Sequence, residues 1–291
     1  MELPRRYSSS TKTSIKFKVP CQENIEKPLW LTIQSLLDYT YGEAVILQGT
    51  IKSLTTKHCV IKFGNITNLK KEYQASEQLK DQTCFIRFYC FFSCMDNFKD
   101  VIERNYQSYP RICLSSDKDS KLLGGIVMPY YPKGSIKDYP WKREHLPLMY
   151  NLMCQVCFAL VNAYDQTGFV HSDLHAGNVL LKHTSKKLQS YGEGITLPII
   201  NNLTVIVMDL ERPKYNVPSG LTDSIVRFLY TLCITEKSDI SLYINTDLIV
   251  VWHITYPRWN HEAAQALYDI IHAIPVRYVK SEHLKPMLHN R

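Results

Sequence analysis

The segment from Phe169 to Leu181, FVHSDLHAGNVLL, narrows the possible folds of this chain more than any other feature. It is a polar loop held between two apolar runs. Upstream, Leu146 to Tyr164 carries apolar residues at helical spacing over a length that suits a buried helix, and Gly168 stands where a left-handed residue would close it. Downstream, Val179 to Lys182 reads as a short strand. Within the loop, His171, Asp173 and Asn178 follow the spacing His-x-Asp-x-x-x-x-Asn. A carboxylate fixed between two rigid elements can orient a hydroxyl group and take its proton. An amide oxygen a few residues later can ligate a hard cation such as magnesium.

Three further segments carry related chemistry. In VIVMDLERP, Val205 to Pro213, an apolar strand ends in Asp209. In HCVIKF, Lys62 lies inside a strand-like apolar run. Burying an ammonium without a partner costs several kcal/mol, so a lysine in a half-buried strand is unusual. The helix-like segment Leu69 to Leu79 carries Glu72 and Glu77. In IVMPYYPKGSIKDY, Ile126 to Tyr139, an apolar strand passes through Met128 to Tyr130 and Tyr131 and then enters a turn.

The remaining chain orders these segments. Residues 1–28 are polar and basic and read as a flexible arm. Residues 29–131 show short strand-like runs, Ala44 to Gln48, His58 to Phe63, Phe85 to Phe92 and Gly125 to Tyr130, interrupted by the helix at Leu69 to Leu79. That order predicts a small, mostly antiparallel sheet with one helix. Residues 132–291 turn mainly helical, with helices at Leu146 to Tyr164, Leu221 to Cys233 and His261 to Ala273. Two short strands, Val179 to Lys182 and Thr204 to Met208, are separated by a polar loop over 183–203. The fold class is α+β in two parts.

Nine cysteines at irregular spacing do not suggest a disulfide framework, and Cys154 and Cys157 sit in an apolar helical stretch as buried thiols. A reducing compartment, cytoplasmic or nuclear, is expected. No apolar run approaches the ~20 residues of a membrane helix. Leu248 to Trp252 is the nearest and is far too short, and the basic start lacks the apolar centre of a signal peptide. The net charge of +7 suits an anionic ligand without pointing to nucleic acid as the main partner.

Taken together, the four segments resemble the protein-kinase-like superfamily, over roughly Leu36 to Cys233. The resemblance implies a bilobal fold, a small antiparallel-sheet N-lobe and a mainly helical C-lobe, with ATP and magnesium as ligands. It implies that Lys62 holds the ATP phosphates and that a helix glutamate braces it, Glu72 by the placing of Leu79, with Glu77 as the alternative. Met128 takes the gatekeeper place, and Tyr130 and Tyr131 form the hinge that offers backbone groups to the adenine. Asn178 and Asp209 would ligate magnesium, Asp173 would position the acceptor hydroxyl, and His171 would tie the loop to the metal-binding segment. The string HSDLHAGN, with His175 where most protein kinases have lysine, is similar to aminoglycoside and choline phosphotransferases, and adds His175 to the catalytic set. Small kinases of large DNA viruses and protists show this mixture, and a viral kinase would act in the host cell.

The chain also departs from the family. Of the glycine-rich loop only Gly42 remains, in LDYTYGEAV. Asp209-Leu210-Glu211 stands in place of Asp-Phe-Gly, which removes the permissive glycine. Asp223 looks like the acidic residue that opens the next family helix, and its closeness to Asp209 leaves no room for a long activation loop. The activity implied is transfer of the ATP γ-phosphate to a serine or threonine hydroxyl of an unidentified protein. The alternatives are a pseudokinase scaffold and a small-molecule kinase of the aminoglycoside or choline type.

Overall fold

Along Ala44–Lys52 buried Val45, Leu47 and Ile51 alternate with half-buried Ile46, Gln48 and Thr50, the pattern of a strand packed more tightly on one face than the other. The computed structural model describes residues 16–19, 29–40, 44–52, 55–106, 112–114, 119–191 and 195–233. They divide between two compact units, one within 1–73 and 87–130, the other within 74–86 and 131–291. The architecture is mixed α+β. Among the described residues no helix is long and apolar enough to cross a membrane.

The first unit is an antiparallel sheet of β1 (Lys16–Val19), β2 (Leu29–Thr40), β3 (Ala44–Lys52), β4 (Thr56–Asn65), β5 (Cys90–Asp96) and β6 (Lys121–Pro129), in the order β1-β2-β3-β4-β6-β5. Helix α1 (Ile66–Gln78) follows β4, and α2 (Phe98–Tyr106) joins β5 to the return of the chain. Asn65 starts α1, its side-chain oxygen accepting the backbone N–H groups of Thr67 and Asn68. Leu31, Val45, Leu47, Ile61, Phe63, Phe92 and Val127 form the core, with Phe63 stacked on Phe92. Four features differ here from the sequence reading. Lys16–Val19, inside the segment read as a flexible arm, pairs with β2. β2 itself was not anticipated, because two irregularities in its register break its period. α2 was missed as well, and Cys94 and Cys113 beyond its two ends are joined by a disulfide, against the expectation of free thiols.

In the second unit α3 (Leu146–Thr167) is buried along most of its length and ends at Gly168, which has φ 70° and donates its N–H to Tyr164 O. A side chain there would collide with Asn216, so glycine is required. β7 (Phe169–His171) follows. β8 (Val179–His183) pairs with β11 (Leu203–Val207), and β12 (Pro213–Tyr215) pairs back onto β7. α4 (Pro218–Cys233) closes the described chain.

The sequence kept Phe85 to Phe92 together as one strand, but the structure divides it. Cys84 has φ 69°, Phe85 bridges Val207 in the second unit, and strand pairing resumes only at Cys90 in the first. Residues 183–203 are not one long loop. They contain the hairpin β9 (Leu188–Ser190) and β10 (Thr196–Pro198), fastened by buried Tyr191 beside Phe158 and by Asn151 Nδ2 donating to Pro198 O. Cys154 and Cys157 are buried thiols, and burial pushes Cys154 up to about 12. The helix expected at His261 to Ala273 and the apolar run Leu248 to Trp252 lie outside the described residues.

Candidate active site

The loop after β7 is held by hydrogen bonds that leave little freedom in its backbone. His171 is buried, and its Nε2–H donates to Met208 O at 2.8 Å, because a carbonyl oxygen can only accept. Burial pushes the imidazole below its ordinary range. The Met208 hydrogen bond and the charges of Asp209 and Asp173 pull the other way. The ring thus ties β7 to the end of β11, two positions from Asp173. Ser172 adds a second tie, its hydroxyl donating to Arg212 O.

Asn178 ends a short 3-10 turn, Ala176–Asn178. Its Nδ2 donates to Asp173 O at 3.1 Å and reaches Asp209 Oδ2 at 3.4 Å, while its backbone carbonyl accepts from Met208 N. Both contacts require the NH2 side of the amide. Asn178 Oδ1 is therefore left without a hydrogen bond among the described residues, in a side chain buried to 7% exposure. A buried amide oxygen without a donor is costly in an apolar protein interior and suited to a cation. Asp209, next to it, has φ 63°, a left-handed conformation that aspartate tolerates better than most residues and that tends to mark functional positions. Asp173, Asn178 and Asp209 are thus brought together.

Helix α4 supports the loop from below. Ser224 Oγ lies 2.5 Å from His171 O, Arg227 Nη1 lies 2.8 Å from Asp173 Oδ1, and Thr231 Oγ1 accepts the N–H of Ala176 at 2.9 Å. These three residues stand one turn apart along one helix face. The sequence reading took Asp223 as the acidic residue that opens this helix, which begins instead at Pro218. In the structure Asp223 is exposed, and Ser224, one position on, makes the contact. Arg227 and Thr231 were missed, since nothing in the local sequence marks them.

In the first unit Lys62 Nζ meets Glu72 Oε2 at 2.8 Å, while the alternative Glu77 is exposed. Strand register puts Lys62 opposite Ile126 and Ile46, and Val60 opposite Met128, so all five share one face of the sheet. Ile126 and Met128 are buried and Ile46 and Val60 half-buried, an apolar surface beside one ammonium. Ile46, Val60 and Ile126 were not singled out in the sequence, where each lies in an unbroken apolar run that does not mark one face. Tyr130 N reaches His58 O at 3.4 Å, and Tyr131 O accepts from Gly134 N at 3.0 Å. Gly42 lies outside the described residues.

His175 Nδ1 accepts the N–H of Gly177 at 3.1 Å, so the ring caps the 3-10 turn. The sequence matches no known protein-family model, and no curated protein matches it.

Proposed function

We propose that this chain is an ATP- and magnesium-dependent phosphotransferase of bilobal, protein-kinase-like fold. Its acceptor is a hydroxyl group, in the first place a serine or threonine of a protein. The observation that carries this reading is the gathering of Asp173, Asn178 and Asp209, with the Asn178 amide oxygen accepting no hydrogen bond among the described residues. Two hard oxygen donors at that spot fit magnesium, which when bound supplies charge neutralisation to the phosphates.

The chain's own residues do the rest. Lys62 brings positive charge to the phosphates, with Glu72 fixing its ammonium. The sheet face with Ile46, Val60, Ile126 and Met128 offers an apolar surface to a purine. Asp173 orients the acceptor hydroxyl and takes its proton as the hydroxyl oxygen bonds to the γ-phosphorus and ADP departs. Neutral His171 holds the loop against β11. A small-molecule acceptor is the second reading. It is favoured by the chain between Asp209 and α4, which is taken up by β12 pairing with β7 and leaves no separate stretch for docking a peptide.

Radiolabelled ATP offered with a protein pool and with a metabolite pool decides between the acceptors, and label should move only when magnesium is present. Asp173→Asn should lower transfer by about 10³-fold while leaving ATP binding, read by thermal shift, unchanged. Full activity in that variant would remove Asp173 from the mechanism. No magnesium-dependent ATP binding by the wild-type protein would sink the reading.

A further inference from the structure

We propose that Arg227 of α4 is a positioning residue for the transfer step, holding Asp173 in the orientation that receives the acceptor hydroxyl. This rests on the phosphotransfer reading and goes beyond it, because nothing in the loop motif calls for an arginine on the following helix. From Phe169 to Leu181 there is no lysine or arginine. The two histidines within that stretch are engaged otherwise: His171 is buried and donates to Met208 O, and His175 Nδ1 accepts from Gly177 N. The loop therefore has no lysine or arginine of its own to steady its carboxylate.

Arg227 supplies one from outside. Nη1 contacts Asp173 Oδ1 at 2.8 Å, a charge-assisted hydrogen bond that fixes one oxygen and leaves Oδ2 for the hydroxyl. The helix that carries Arg227 is itself tied to the loop on either side of this contact, by Ser224 to His171 O and by Thr231 to Ala176 N. The guanidinium therefore stands on a support that moves with the loop. Asp173 remains 30% exposed and so reachable by an acceptor. A guanidinium has several donors, so one pairing with Asp173 does not exhaust it.

A purely structural pair at this exposure would contribute little to stability and nothing to turnover. The test compares Arg227→Met and Arg227→Lys with wild type in steady-state transfer, alongside melting curves and magnesium-ATP binding. Arg227→Met should lower kcat by about 10²-fold with KM for ATP unchanged, and Arg227→Lys should recover about tenfold of that loss. The melting temperature of both variants should stay within about 3 °C of wild type. Wild-type kcat in Arg227→Met, or no recovery in a folded Arg227→Lys, overturns the role of Arg227 and leaves the phosphotransfer reading standing. A wild-type protein that neither binds magnesium-ATP nor turns over overturns both.

Discussion

Lys62–Glu72 and Arg227–Asp173 are ion pairs of the same length, 2.8 Å, set in different surroundings. The first is 11% and 1% exposed at its two side chains, the second 53% and 30%. Distance alone makes them equal, and burial makes them different. A buried pair has lost the hydration of both charges, so each partner depends on the other. A half-exposed pair keeps much of its hydration, adds little to stability, and leaves its carboxylate open to a third group. The first unit thus uses a pair to fix a lysine on a sheet face, and the second uses a pair to aim an aspartate.

The sharpest way to break this comparison is to remove one partner from each pair. Glu72→Ala removes the buried carboxylate that meets the Lys62 ammonium and should cost about 3–5 kcal/mol in urea unfolding, much of it regained when Lys62→Met is added. Asp173→Asn should cost no more than about 1 kcal/mol by the same measurement. Equal losses would show that burial does not separate the pairs. The support under Asp173 gives a smaller effect. Ser224→Ala removes the hydroxyl at His171 O and should cost about 1 kcal/mol, with transfer falling more than stability.

Alkaline pH sharpens the picture through groups that burial alone controls. Burial pushes the thiol of Cys59 in the first unit, and of Cys154 in the second, from 9.0 up to about 12. The folded chain holds these protons more tightly than the unfolded one. The stability they contribute is complete below pH 9 and drains away as pH rises toward 12. Melting temperatures should fall over that window, and a Cys154→Ala variant should show a shallower fall. An unchanged slope would place the titration elsewhere.

Much of this was readable in the sequence, for physical reasons that differ from residue to residue. HCVIKF reads as a strand because it is a short, β-branched apolar run, and the kinase-like resemblance pairs the lysine inside it with a glutamate of the next helix, which Glu72 supplies. His171, Asp173 and Asn178 are close in sequence, and Asp209 is delivered by an apolar strand, so local patterns carry all four. The support from α4 was not readable. Ser224 differs from Asp223 by one position, about 100° around a helix, and no local rule sets that angle before the helix is docked. FIRFYCFF misleads for a related reason. It is apolar apart from Arg87, yet its first residues pair with β11 and its last with β6, so one run serves two units. The Cys94–Cys113 disulfide depends on α2 turning the chain back, which spacing of cysteines cannot reveal.

The central claim is that Asp209 and Asn178 hold the metal for a phosphoryl transfer, and ATP turnover by purified protein beside its Asp209→Ala variant tests it most directly. The account predicts turnover that requires magnesium in the wild type and falls by about 10³-fold in the variant, with the fold intact by circular dichroism. Turnover that survives chelation of magnesium, or an Asp209→Ala protein as active as wild type, would contradict it.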